Sequence, residues 1–234
     1  MDVTRAVSIL ISSEFLRMDR LVAECLAFVA ANLGEIVKLP IDLACLNDAM
    51  VVRLARLATL EQLARARDRR DKLLSRVFKK RIELDFRDRS VSNTVLCCRY
   101  CRRLYPESAA ATLSCAAAPP VIDFRGAIVR RHDRLRPWSL TQLVTSLHRR
   151  GMSWTQVYWL LWGLTKPLRC VRCSQVFPAG DIGCCRHGPE MVVVATAAAA
   201  AASGPKGGEF CSGEGSGHSA ARAVAKPEGL PFQA

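Results

Sequence analysis

The 234-residue sequence has no long hydrophobic run. No window approaches the roughly 20 apolar residues that a bilayer-spanning helix needs, which excludes a transmembrane segment. No secretory leader is visible either. Asp2 and Arg5 precede only the short apolar stretch Ala6 to Ile11, and no small-residue cleavage site follows. No glycine-rich loop lies between a strand and a helix, so no phosphate cradle is expected. Histidine is scarce, at four residues. A reactive cysteine with His132, His148 or His187 as its base lacks a recognisable nucleophile context, so the expected class is non-enzymatic. Acidic residues are also few. Lys and Arg number 34 against 21 Asp and Glu, giving a net charge of +13 and a pI near 9.6. This balance favours polyanionic partners such as nucleic acid or acidic protein faces, unless it marks only a solvated basic helix. The chain reads as cytosolic or nuclear, with the nucleus favoured. No membrane or small-molecule partner is expected.

Half of the sequence is apolar, but alanine runs near 108–118 and 195–202 inflate that fraction. Alanine buries little area, so the core is smaller than the percentage implies. Apolar spacing predicts helices over 4–16 and 18–33, with Asp19 in the first turn of the second and Gly34 as its stop. A further helix is predicted over 47–58, beginning at Asn47 or Asp48. A long basic helix is predicted from about 61 to 84. Leu74, Phe78 and Ile82 form its apolar stripe. The remainder of that helix carries arginine and lysine, and Arg69, Arg70, Arg76, Lys79 and Lys80 are its candidate nucleic-acid contacts. Two β-favouring runs around Arg125-Gly126 predict a hairpin with a two-residue turn. Helices follow over 139–150 and 154–163, and a short strand over 191–194. From Ala195 on, alanine, glycine and serine predominate, and the segment reads as disordered.

Eleven cysteines in a reducing compartment argue for metal or free thiols rather than disulfides. Cys98-x-x-Cys101 and Cys170-x-x-Cys173 are knuckles whose sulfurs can turn to one side of a tight loop, as structural zinc requires. Cys184 and His187 form a third pair with C-x-x-H spacing. One arrangement joins the first two knuckles into a four-thiolate site. Another uses Cys170, Cys173, Cys184 and His187. Two four-coordinate sites need eight ligands, with Cys97, Cys115, Cys185 and Cys211 in reserve. No acidic residue beside the knuckles would serve as a general base.

Trp154, Tyr158, Trp159 and Trp162 concentrate the large aromatics in one short helix. They make either a stacking surface or partner hot spot, or the core of the small module. Val157, Leu160 and Leu161 in the same helix favour the core.

The segment Val7–Cys25, with an aromatic–Leu step at Phe15-Leu16 and then Leu21-x-x-x-Cys25, looks like the late helical pair of BTB domains. More broadly, residues 7–194 resemble the family of SANT and BTB domain regulators of class switch recombination. The motifs are Ile9-Leu10-Ile11-Ser12-Ser13-Glu14-Phe15-Leu16, Cys98-x-x-Cys101, Arg125-Gly126, Trp154-x-x-Val157-Tyr158-Trp159-x-Leu161-Trp162-Gly163 and Cys170-x-x-Cys173. The resemblance implies a nuclear adaptor that self-associates through BTB-like helices and contacts protein partners. It also implies that the chain begins inside the BTB domain and has no SANT domain, leaving the apolar faces of residues 7–33 to self-associate. The C-x-x-H pair, Cys184 and His187, is shifted by one residue from the family's pattern, which leaves Cys185 as the alternative to Cys184 as ligand. The expected fold is therefore mainly α. It comprises the helical C-terminal part of a BTB-like domain (1–46), a helical extension with the basic helix (47–90), a small α+β zinc-binding module (91–194) and a low-complexity tail (195–234). Structural zinc on Cys98, Cys101, Cys170, Cys173, Cys184 and His187 is the expected cofactor. The alternative function is a basic, zinc-stabilised nucleic-acid-binding protein.

Overall fold

The computed structural model describes residues 2–71, 73–87, 94–185, 187 and 192–194. The low-complexity tail at 195–234 lies outside them. Mainly α architecture is present: eight α-helices accompany three small sheets among the described residues. No described helix is long and apolar enough to cross a membrane.

Helix α1 (Val3–Phe15) and helix α2 (Asp19–Ala31) pack as a pair joined at Arg17, whose φ is 55°. Their apolar spacing turns Ala6, Val7 and Leu10 toward Val22, Cys25, Leu26 and Val29, all buried. The expected stop at Gly34 is not where the helical path ends. Asn32 terminates α2, with its side-chain amide donating to the Phe28 carbonyl at 2.9 Å. The chain then re-enters a short helix, α3 (Leu33–Ile36), with Gly34 inside it. The prediction that the faces of residues 7–33 stand exposed is also overturned. Helix α4 (Asp48–Leu57) packs on α2, and Met50, Val51 and Leu54 join the same core. Phe15, Leu16 and Met18 at the α1–α2 turn remain exposed. Fully burying one Leu contributes roughly 2 kcal/mol. An exposed ion pair such as Arg20–Glu24 contributes at most about 1 kcal/mol. The core, and not the surface charge, therefore holds this lobe together.

The long basic helix is in fact two helices, α5 (Leu60–Arg65) and α6 (Leu74–Phe86). The aspartates between them cause the break. The Asp68 carboxylate accepts the backbone N–H groups of Leu73 (2.8 Å) and Leu74 (3.1 Å), and Asp71 accepts that of Ser75 (3.1 Å). These bonds start a new helix by satisfying its first donors.

Helix α7 (Leu140–Arg149) follows, and then α8 (Trp154–Thr165), which a capping box between Ser153 and Gln156 begins. The aromatics of α8 serve the core. Tyr158 is fully buried, with its ring 5.3 Å from Phe78 and 5.7 Å from Phe86, and Trp159 meets Phe78 edge-on at 6.3 Å. A single hydrophobic cluster thus runs from Ala6 in α1 to Leu161 in α8.

Two small strand systems lie against α8. Strands β1 (Val95–Cys97) and β2 (Leu104–Pro106) form an antiparallel hairpin. Strand β5 (Pro167–Cys170) pairs with both β6 (Val176–Pro178) and β7 (Val192–Val194). Between these systems, β3 (Val121–Ile122) and β4 (Ile128–Val129) form a separate hairpin. Its turn is not the two-residue turn predicted. Asp123 and Ala127 close a three-residue loop through Phe124, Arg125 and Gly126, and the Asp123 carboxylate accepts the N–H groups of Arg125 and Ala127, both at 2.9 Å. Gly126 takes φ 79°, the left-handed conformation such a loop needs. After β6, the 3-10 turn Ala179–Cys184 packs on α8. A Cβ on Gly180 would stand only 3.3 Å from the Gly163 carbonyl oxygen, so glycine is what permits this approach.

Candidate metal centres

Cys98 lies where β1 ends, and Cys101 lies in the tight turn toward β2. The turn closes when the Cys98 N–H donates to the Arg103 carbonyl (2.9 Å) and the Arg102 N–H donates to the Cys98 carbonyl (3.0 Å). Arg102 takes φ 58° to complete it. The second knuckle repeats this geometry. The Cys170 N–H donates to the Gln175 carbonyl (2.9 Å), the Ser174 N–H donates to the Cys170 carbonyl (2.9 Å), and Ser174 takes φ 60°. Both loops turn their two sulfurs to one side.

Each knuckle recruits its own further ligands. Cys98, Cys101, Cys115 and His132 form one cluster, with all ligand atoms within 4.8 Å of one another. Cys115 is held there by its N–H, which donates to the Arg130 carbonyl (3.0 Å), and Ser114 bridges Arg131. The β3–β4 hairpin between them returns the chain so that His132 arrives opposite the knuckle. Tetrahedral zinc with ordinary bond lengths separates two thiolates by about 3.8 Å and a thiolate from an imidazole nitrogen by about 3.6 Å. Here Cys98 Sγ is 3.8 Å from Cys115 Sγ, and Cys101 Sγ is 3.5 Å from His132 Nδ1. The donor set and its spacing therefore fit zinc.

The electrostatics are consistent with this. Burial raises the Cys98 pKa, but backbone N–H groups of Cys101, Asp133 and Tyr100 outweigh it and hold the thiol below its ordinary value. Burial pushes the Cys101 thiol up to about 12, a cost that a bound cation would oppose. Burial, and then Arg103, lower the His132 pKa, which keeps the imidazole neutral and able to ligate. Tyr105 stacks on the His132 ring at 4.8 Å and fixes its plane.

The second cluster is Cys170, Cys173 and Cys185. Burial raises the Cys170 pKa, but the Cys173 N–H, the Cys173 and Cys185 thiols and the Arg172 N–H bring it down to about 7. Cys173 is exposed, unlike Cys170 and Cys185.

The sequence-predicted ligands therefore divide between two places. The structure separates Cys98 and Cys101 from Cys170 and Cys173, so the single four-thiolate site joining them is corrected. About seventy residues separate the knuckles, and nearer residues join each one: Cys115 and His132 the first, Cys185 the second. The side chain of Cys184 lies outside the described residues. His187 is exposed and stands outside the group of mutually close ligand atoms. Cys115, His132 and Cys185 join the clusters with no knuckle spacing in the sequence to mark them.

The two knuckles and their strands also repeat in the sequence. A shift of 72 residues carries Cys98 and Cys101 onto Cys170 and Cys173, and the same shift carries Leu96 onto Leu168, Leu104 onto Val176, Tyr105 onto Phe177 and Pro106 onto Pro178. The strand registers obey it too: Leu96 pairs with Tyr105, and Leu168 with Phe177.

The five candidate nucleic-acid contacts also separate. Arg69 and Arg70 are exposed in the turn between α5 and α6, and Lys79 is exposed with its ammonium 5.6 Å above the Trp154 ring. Arg76 instead turns inward, donating to the carbonyls of Leu43 (3.4 Å) and Leu46 (2.6 Å) and pairing with Asp48. Lys80 pairs with Asp48 at 3.0 Å. A continuous basic helical face over 61–84 is thus not formed.

No family model matches the chain, and no solved structure matches it.

Proposed function

We propose that this chain is a non-enzymatic, zinc-stabilised interaction protein of the SANT-and-BTB regulator type, acting as a nuclear adaptor in transcription or recombination. The observation that carries the reading is the Cys98–Cys101–Cys115–His132 cluster, which supplies four ligands at zinc spacings and leaves no place for a substrate. Zinc bound there supplies cross-linking of chain segments and not Lewis-acid chemistry. The nearby carboxylates support a structural role. Asp133 is paired with Arg99 at 2.9 Å, and Asp181 is paired with Arg103, so both carboxylates already have cationic partners. The BTB and nuclear parts of the reading rest on the resemblance of residues 7–194.

Elemental analysis of the purified chain tests it. Roughly one to two zinc ions per chain are expected, and fewer than about one, with every thiol freely titratable, overturns the reading. Nucleic-acid binding is the competing function. Its signature is an affinity that falls steeply with salt. Of its five candidate contacts, Arg76 and Lys80 are engaged by Asp48, which leaves Arg69, Arg70 and Lys79 to carry it.

A further inference from the structure

We infer that the two clusters are copies of one duplicated unit, and that His187 completes the second as a Cys3His zinc centre with Cys170, Cys173 and Cys185. The inference rests on the zinc reading above and extends it to a ligand and a second ion. Duplication is recorded three times over. The sequences share an identical spacing of Leu, two cysteines, an aliphatic residue, an aromatic and a proline. The hairpins share one register at a constant shift of 72 residues. The knuckles share the same two closing hydrogen bonds and the same left-handed residue after the second cysteine.

The first copy finishes with a third cysteine and then a histidine. The second copy has its third cysteine at Cys185, and three thiolates leave one corner of a tetrahedron to fill. His187 follows two residues later. Its backbone N–H faces the Cys185 sulfur. Two residues span at most about 7 Å, which keeps residue 187 near the shared corner.

The repeat register separates His187 from its neighbour. The shift that aligns the knuckles places Cys115, a member of the first cluster, at His187. It places Thr112, which is not a member, at Cys184. In the second copy the third cysteine has moved two residues forward, and histidine occupies the position it left.

The test uses the full chain loaded with zinc, or with cobalt(II) as a spectroscopic substitute. Wild type should hold two ions, each with the visible absorption of a three-thiolate, one-nitrogen tetrahedral site. H187A should weaken one of the two ions by at least about tenfold against a chelating dye, and H187C should restore it with a four-thiolate spectrum. C184S should leave both ions and both spectra unchanged. Loss of the second ion in C184S but not in H187A overturns the assignment, as does an H187A protein that matches wild type. If wild type binds one ion that H187A does not disturb, this inference alone fails. If it binds none, the zinc reading itself fails.

Discussion

At the scale of single residues, Tyr158 shows how polar atoms are accommodated in the core. Its hydroxyl donates to Asp85 (2.8 Å), which also accepts from Arg81 (2.7 Å), and Arg81 reaches the Ala55 carbonyl (2.6 Å). One chain of hydrogen bonds thereby ties α8 to α6 and α4. Burial, and then the Asp85 charge, raise the Tyr158 pKa above its ordinary value. In the unfolded chain the phenol ionises near 10, so the folded state holds the extra proton and stability falls as pH rises beyond that point. Y158F should cost about 1–3 kcal/mol in urea unfolding at neutral pH, and its deficit should narrow above pH ~10. Arg76 and Lys80 make a second residue-scale case. Charge reversal at either should lower the thermal midpoint, whereas reversal at Arg69 and Arg70 should leave it nearly unchanged. Equal effects at all four would contradict the ion-pair geometry. None of this was legible in the sequence, because Asp48 lies about thirty positions from its cationic partners and periodicity reports only near neighbours.

At the scale of elements, local chemistry was legible where one signal stood alone. Asn47 caps α4 and Ser153 caps α8, as expected from their residue types. S153A should cost about 1 kcal/mol, measured by chemical denaturation, because it removes one half of a capping box. The failure at the basic helix has a clear cause. Asp68 and Asp71 look like charge compensation in a run of arginines, but their carboxylates are short enough to bond nearby N–H groups and start a new helix. D68A should therefore destabilise α6 at its first turn, and amide exchange at Leu73 and Leu74 should accelerate if the cap is lost. The hairpin turn differs from the two-residue turn for a similar reason: Asp123 closes the loop with its side chain.

At the scale of the whole molecule, one core of helices is joined to two small clusters of buried residues centred on the knuckles. Those clusters are too small to stand on apolar burial alone. Removing metal with a strong chelator should therefore abolish protection from proteolysis around residues 95–134 and 167–185 while the far-ultraviolet helical signal largely persists. Collapse of the whole signal would mean that the helices depend on the metal. The cysteine chemistry was legible from spacing, but the choice of partners was not, since the fourth ligand of the first cluster arrives only after a hairpin has carried the chain out and back. That excursion has a consequence for how the molecule tolerates change. Ile122, Phe124 and Ile128 on it are 72%, 90% and 73% exposed, so the core does not depend on them. The equivalent stretch in the second copy, between Cys185 and His187, is one residue long. Lengthening a loop between fixed ends costs only logarithmically in closure entropy. The gap between the last two ligands is thus a place where evolution, or an engineer, can exchange one segment for another with both anchor points already clamped.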